Sequence, residues 1–143
     1  MSEVKVIGIG NDHAAVDLKN EIKAYLEEKG YKVVNYGTDS SESCDYPVYG
    51  AKVGNAVASG EVDAGVLICG TGIGISIACN KVKGIRCAKV DSVEDARLTR
   101  NDNDANVIAI SGKTELSKAL EIVETFLTTP FSNIERYIKR KIK

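Results

Sequence analysis

Cys69 stands at the head of a stretch with almost no side-chain bulk, Gly70-Thr71-Gly72-Ile73-Gly74, and the apolar run Val66-Leu67-Ile68 leads into it. A buried strand that feeds a glycine-rich turn and then a helix aims several free N–H groups, and the positive end of a helix dipole, at one small volume. A thiol at the lip of that volume is expected to shift toward the thiolate, the form that those groups favour. Asp12 and His13, the latter the sole histidine, follow the first apolar run and form the second group with chemical capacity. Residue types alone leave alternatives open. Cys69 reads equally as a small buried hydrophobe, Thr71 as a helix cap, and His13 as a partner of its own helix start.

The elements that must position these residues follow from hydrophobic period and punctuation. Strands are expected at residues 4–9, 31–36, 66–68, 85–90 and 107–110. Between them lie a helix from Ala14 stopped by Gly30 with Asn11 or Asp12 as N-cap, and a helix introduced by Pro47 and closed by Gly60. Further helices begin after the glycine turn and span 92–100, with Ser92 and Asp95 spaced as a capping pair. A last long helix runs from a Thr114 cap through Leu127 and is stopped by Pro130. Strands alternating with helices imply parallel crossovers, hence an α/β three-layer Rossmann-like sandwich with helices on both faces of a five-stranded parallel sheet. The commonest order, 2-1-3-4-5, puts its switch point between strands one and three, beyond the carboxyl ends of the strands. That places Asn11, Asp12 and His13 beside Cys69, Gly70 and Thr71. Residues 100–106 then fall at the opposite end of the sheet, where any contribution to a site is to a neighbouring copy's.

At 143 residues the chain suits one domain, 1–143, without covalent staples. Cys44, Cys69, Cys79 and Cys87 show no Cys-x-x-Cys spacing, and no secretory leader is read at the N-terminus. Free thiols in a reducing cytoplasm are the expected state. A formal charge of −1 gives no general electrostatic reason for nucleic acid or an anionic membrane as partner, and no apolar run reaches membrane-spanning length. The basic tail, Arg136, Lys139, Arg140, Lys141 and Lys143, reads first as a solvated helix end.

The glycine cluster fails several established patterns. It is neither Gly-x-Gly-x-x-Gly followed by an acid nor a P-loop, and Ile75 stands where a phosphatase-like thiol needs an arginine. A receiver domain would carry Asp in place of Cys69, and a Gly-x-Ser-x-Gly elbow is absent. One histidine and no clustered Cys/His pairs give no expectation of a zinc or other metal site.

Taken together, Asp12-His13-Ala14, Asp45-Tyr46-Pro47, Ile68-Cys69-Gly70-Thr71-Gly72-Ile73-Gly74, Ala78-Cys79-Asn80-Lys81, Gly84-Ile85-Arg86 and Asn103-Asp104-Ala105-Asn106 resemble the type B ribose-5-phosphate isomerases and the related LacAB (RpiB) sugar-phosphate isomerases. The resemblance implies a cofactor-free aldose–ketose isomerase of phosphorylated sugars. It implies a homodimer or dimer of dimers in which each site is completed by the neighbour, the tail 131–143 packing on that partner. By the same resemblance Cys69 is the base that takes the proton next to the carbonyl. Gly70, Gly72, Gly74 and the Thr71 hydroxyl then hold a cis-enediolate, Asp12 and Tyr46 bind the sugar, and Asn103 belongs to the substrate site. His13, Arg136 and Arg140 hold the phosphate. Two positions depart from the family pattern. Asp102 stands where the ring-opening histidine usually precedes Asn-Asp-Ala-Asn, and residues 133–137 replace the usual Gly-Gly-Arg-His. Both bear on substrate handling. The resemblance thus leaves open a sugar-phosphate-binding module, or one subunit of a two-part galactose-6-phosphate isomerase.

Overall fold

The structure, a computed structural model, describes residues 3–142; Lys143 of the basic tail lies outside them. Its centre is β3, Ala64–Cys69, six residues buried along their whole length. Only apolar residues and glycine suit a strand with helices against both faces. Alternation along β3 divides the interior in two. Val66 and Ile68 join Ile7, Ile9, Ile108 and Ile110 in the cluster covered by α1 (Val16–Glu28), α4 (Val93–Asn103) and α5 (Leu116–Thr128). Leu67 and Cys69 turn to the other face and meet Val53, Ile75 and Cys79 from α2 (Tyr46–Ala58) and α3 (Ile73–Asn80).

The remaining strands are β1 (Val6–Asn11), β2 (Lys32–Asn35), β4 (Cys87–Lys89) and β5 (Val107–Ser111), all parallel. Their order is β2-β1-β3-β5-β4, which corrects the expected 2-1-3-4-5: the last two strands exchange places. Burial explains the exchange. Residues 107–110 of β5 are fully buried and take an interior position beside β3, whereas β4 is three half-buried residues, one of them Lys89, suited to an edge. The switch point between β1 and β3 is unaffected.

Local signals mostly act as their chemistry dictates. Asp12 caps a 3-10 turn, His13–Ala15, that precedes α1, its carboxylate accepting from Ala14 N–H. Ser92 caps α4 by accepting from Asp95 N–H. Gly30 and Gly60 take positive φ just beyond helices α1 and α2. The strands expected at 4–9, 31–36, 66–68 and 85–90 shift at their ends by one or more residues, and two helix ends differ as well. Helix α4 continues through Asn103 before Asp104 closes it in the left-handed conformation. Thr114 is not the cap of α5, since Glu115 holds that position and the Thr114 hydroxyl donates to Ser111 O instead. After α5 the chain passes Pro130 and ends in α6 (Glu135–Lys141), which packs on α4.

Candidate active site

Pairing of β1 with β3 sets Asn11 beside Ile68, and Asp12 N–H donates to Ile68 O at 3.1 Å. The loop after β1 and the glycine turn after β3 therefore share one edge of the sheet. Asn11, fully buried, ties this edge to the next loop, its Nδ2 donating to Asp12 O and Thr38 O at 2.9 Å each. His13 Nδ1 accepts from Cys44 N–H at 3.3 Å. An accepting Nδ1 puts the proton of the neutral ring on Nε2, which leaves a donor for an anionic ligand.

The glycine turn is shaped by two requirements. Gly72, at the N-cap of α3, has φ 82°, and a Cβ there would lie 2.9 Å from the carbonyl carbon of Ile110. Gly74 has the Tyr46 ring 2.7 Å from its Cβ position, so Tyr46 lies directly over the first turn of α3. At Gly70 the missing Cβ would meet no atom within 4 Å, and the space above the turn is open. Ser111 Oγ donates to Gly70 O at 2.8 Å, fastening the turn to the end of β5.

Cys69 sits under this turn with its sulfur accepting the Gly72 N–H at 3.0 Å. It is 5% exposed and packs with the α2/α3-side cluster. Thr71 is exposed, and its Oγ1 accepts Ile73 N–H at 3.1 Å. Thr71 therefore bonds the first helical N–H from outside the N-cap, which is Gly72, and its hydroxyl proton is left to donate outward. Asp12, His13, Tyr46, Cys69, Gly70, Thr71, Gly72 and Gly74 are thus gathered around the carboxyl ends of β1 and β3.

Asp102, Asn103, Arg136 and Arg140 are not part of that cluster. Asp102 and Asn103 end α4, just before β5 begins at Val107, whereas Cys69 pairs with Ser111 at the far end of β5. Five strand residues separate the two levels by about 13 Å. Arg136 and Arg140 flank the Tyr137 ring, 4.8 and 5.8 Å from its centre, and so present two guanidinium groups around one aromatic face. The Tyr137 hydroxyl, then the Asp102 carboxylate, favour the charged form of Arg136.

Two residues of the Asn103-Asp104-Ala105-Asn106 motif to which the sequence assigns no role hold this second cluster. Asp104 accepts from Arg100 Nη1 at 2.7 Å and from Lys141 Nζ at 2.8 Å, joining α4 to α6. Burial pushes its carboxyl up, but the bonds from Lys141 and Arg100 outweigh that and hold it below the usual carboxylate range. Asn106 grips the segment before β4, accepting Arg86 N–H at 2.9 Å and donating to Gly84 O at 3.0 Å. In the first cluster the overlooked residue is Lys19, fully buried and ion-paired with the exposed Asp39. Its spacing from Val16 and Ile22 put it on the apolar stripe of α1, which was the available signal.

Among the described residues, no three or more His, Cys, Asp or Glu side chains are grouped so as to hold a metal ion, and no helix is long and apolar enough to cross a membrane.

The chain matches the family model described as Ribose/Galactose Isomerase over residues 7–143. It is 49% identical over 125 residues to ribose-5-phosphate isomerase B of Escherichia coli, covering 87% of this chain and 84% of that protein. It is 44% identical to galactose-6-phosphate isomerase subunit LacB of Clostridium acetobutylicum, over 88% of this chain and 73% of the relative. A solved structure of Clostridium thermocellum ribose-5-phosphate isomerase B superposes with a TM-score of 0.92 at 48% identity, covering 95% of this chain and 92% of the other.

Proposed function

The chain belongs to the Ribose/Galactose Isomerase family, and from that premise we propose that it interconverts an aldose and a ketose phosphate through a cis-enediolate, with Cys69 as the base and ribose 5-phosphate as substrate. The observation that carries the reading is Cys69 at the end of β3, sulfur against the Gly72 N–H, with Asp12 and His13 brought to the same edge by β1.

The thiolate of Cys69 removes the proton from the carbon beside the carbonyl and returns it to the neighbouring carbon. Negative charge that develops on oxygen meets the outward hydroxyl of Thr71 and those N–H groups of the glycine turn other than Gly72 and Ile73, whose N–H groups are held by the Cys69 sulfur and Thr71 Oγ1, each fixed donor contributing a few kcal/mol. Asp12 and Tyr46 bind the sugar hydroxyls. His13 offers its Nε2–H to the phosphate, whose other contacts are Arg136 and Arg140; a two-pronged grip on a phosphate fixes the sugar for proton transfer. Asp102 acts as base toward the anomeric hydroxyl, and Asn103 positions the ring.

The separation of the two clusters along β5 supports a site shared between copies of the chain, in a homodimer or a dimer of dimers. Exposed Ile73 and Ile77 on α3, Val48 on α2, and Ile134, Ile138 and Ile142 along the tail supply apolar surface for that assembly, including packing of residues 131–143 on a partner. A cytoplasmic location fits a metabolic enzyme with four free thiols.

Incubation with ribose 5-phosphate, allose 6-phosphate and galactose 6-phosphate in deuterated water tests the reading. Label at carbon two with ribose 5-phosphate is expected; binding without exchange on every sugar would make the protein a binding module, a reading favoured by the Asp102 carboxylate beside Arg136. The likeness to a LacB subunit supports a second alternative, a two-part enzyme, which activity of the purified single chain would eliminate.

A further inference from the structure

Cys79 and Cys87 take no part in the reaction outlined above. Cys79 is fully buried near the end of α3, its sulfur 3.2 Å from where a Cβ on Gly54 of α2 would lie. Cys87 opens the edge strand β4, is half-buried, and lines a surface cavity of about 280 Å³ together with Asn80, Arg86, Thr99 and Asn103. Asn80, the residue after Cys79, holds Cys87 at two points. Its Nδ2 donates to Cys87 O and its Oδ1 accepts Cys87 N–H, both at 2.8 Å. That grip fixes the backbone of one cysteine beside the helical turn that carries the other. Cys79 belongs to the α2/α3-side cluster and Cys87 packs against that same cluster; the neighbouring Cys87 thiol, together with burial, pushes the Cys79 thiol above the ordinary cysteine range.

We propose that Cys79 and Cys87 are a dithiol modification site that closes to an intramolecular disulfide when an organic hydroperoxide supplies the oxidising equivalents. The Cys87 sulfur, open to the cavity, attacks a peroxide oxygen; the O–O bond breaks, the alkoxide leaves and takes up a proton, and Cys87 becomes a sulfenic acid. The Cys79 sulfur, releasing its proton, attacks the Cys87 sulfur; the S–S bond forms, the S–O bond breaks, and hydroxide leaves as water. Two thiols are oxidised and one hydroperoxide is reduced to an alcohol and water. Asn80 and the pairing with β5 hold the backbone of Cys87 beside the end of α3 while the bond closes. Cys69, 5% exposed, is reached later than Cys87.

The test treats the folded protein with tert-butyl hydroperoxide, blocks remaining thiols with N-ethylmaleimide and digests with trypsin. Residues 87–89 should appear linked to residues 53–81, about 2 Da lighter than the two thiol peptides together, and dithiothreitol should release them. The link should persist in Cys69→Ala, since 53–81 also carries Cys69, and should vanish in Cys79→Ala and in Cys87→Ala. Recovery of 87–89 unlinked once Cys44 has been oxidised, a link from 87–89 to the peptide carrying Cys44, or loss of the link in Cys69→Ala would each overturn the proposal.

Discussion

The two ends of the sheet are built differently. At the carboxyl ends of β1 and β3 three of the side chains are buried, Asn11 at 0%, Cys69 at 5% and Asp12 at 7% exposure, beneath a turn stapled by main-chain and short side-chain bonds, with Thr71 and Tyr46 exposed. At the other end charged side chains dominate, with Arg136 and Arg140 around Tyr137 on the exposed α6 and a buried Arg100 joined to Asp104 and Lys141 in an ion cluster tying α4 to α6. The contrast fits the proposed division of roles. A proton transfer needs groups held to a fraction of an ångström, which a packed core supplies, whereas gripping a phosphate needs reach and charge. Within one copy the two groups lie at opposite ends of β5.

Substitutions at each end should separate the two roles, beginning with the largest effect. Cys69→Ala is expected to lower kcat at least about a hundredfold with KM nearly unchanged in steady-state assays, since it removes the base and leaves the grip. Arg136→Ala with Arg140→Ala should lower kcat/KM about ten- to a hundredfold, chiefly by raising KM. Gly72→Ala should cost about tenfold in turnover and about 2 kcal/mol in denaturant-measured stability, because a side chain at φ 82° against the Ile110 backbone forces the turn to move and takes its N–H from the Cys69 sulfur.

Asp104→Asn should leave turnover within a few-fold and lower stability at neutral pH by about 2 kcal/mol, as two cations lose their shared carboxylate. The pH dependence fixes the sign. The folded carboxyl is held below its unfolded value of about 3.9, so its contribution is present above that pH and is lost as pH falls through the folded value. Urea melts of the two proteins should therefore converge in acid. Curves that stay parallel down to that range would deny Asp104 its role in joining the tail to α4.

The first end of the molecule was legible in sequence and the second was not. Val66-Leu67-Ile68 before five small residues can hardly be anything but a buried strand entering a turn, and the winding of a parallel sheet then places Asp12 and His13. The exchange of β4 and β5 departs from the commonest order but agrees with composition: Arg86 before and Lys89 within a short strand suit an edge, against Val107-Ile108-Ala109-Ile110. Around Asn103-Asp104-Ala105-Asn106 each residue has a separate job. Asp104 binds ions, Ala105 is buried, and Asn106 grips the chain before β4. Such long-range partners leave no local periodicity to read.

The claim that both ends serve one reaction is tested most directly by mixing inactive variants. Cys69→Ala and Arg136→Ala/Arg140→Ala proteins, unfolded together and refolded as mixed assemblies, should regain about a quarter of the normal kcat/KM, because half of the dimers are mixed and each of these has one intact site. If the mixture is no more active than its components while mixed assemblies are demonstrably present, the base and the phosphate grip do not meet across copies, and the shared site is refuted.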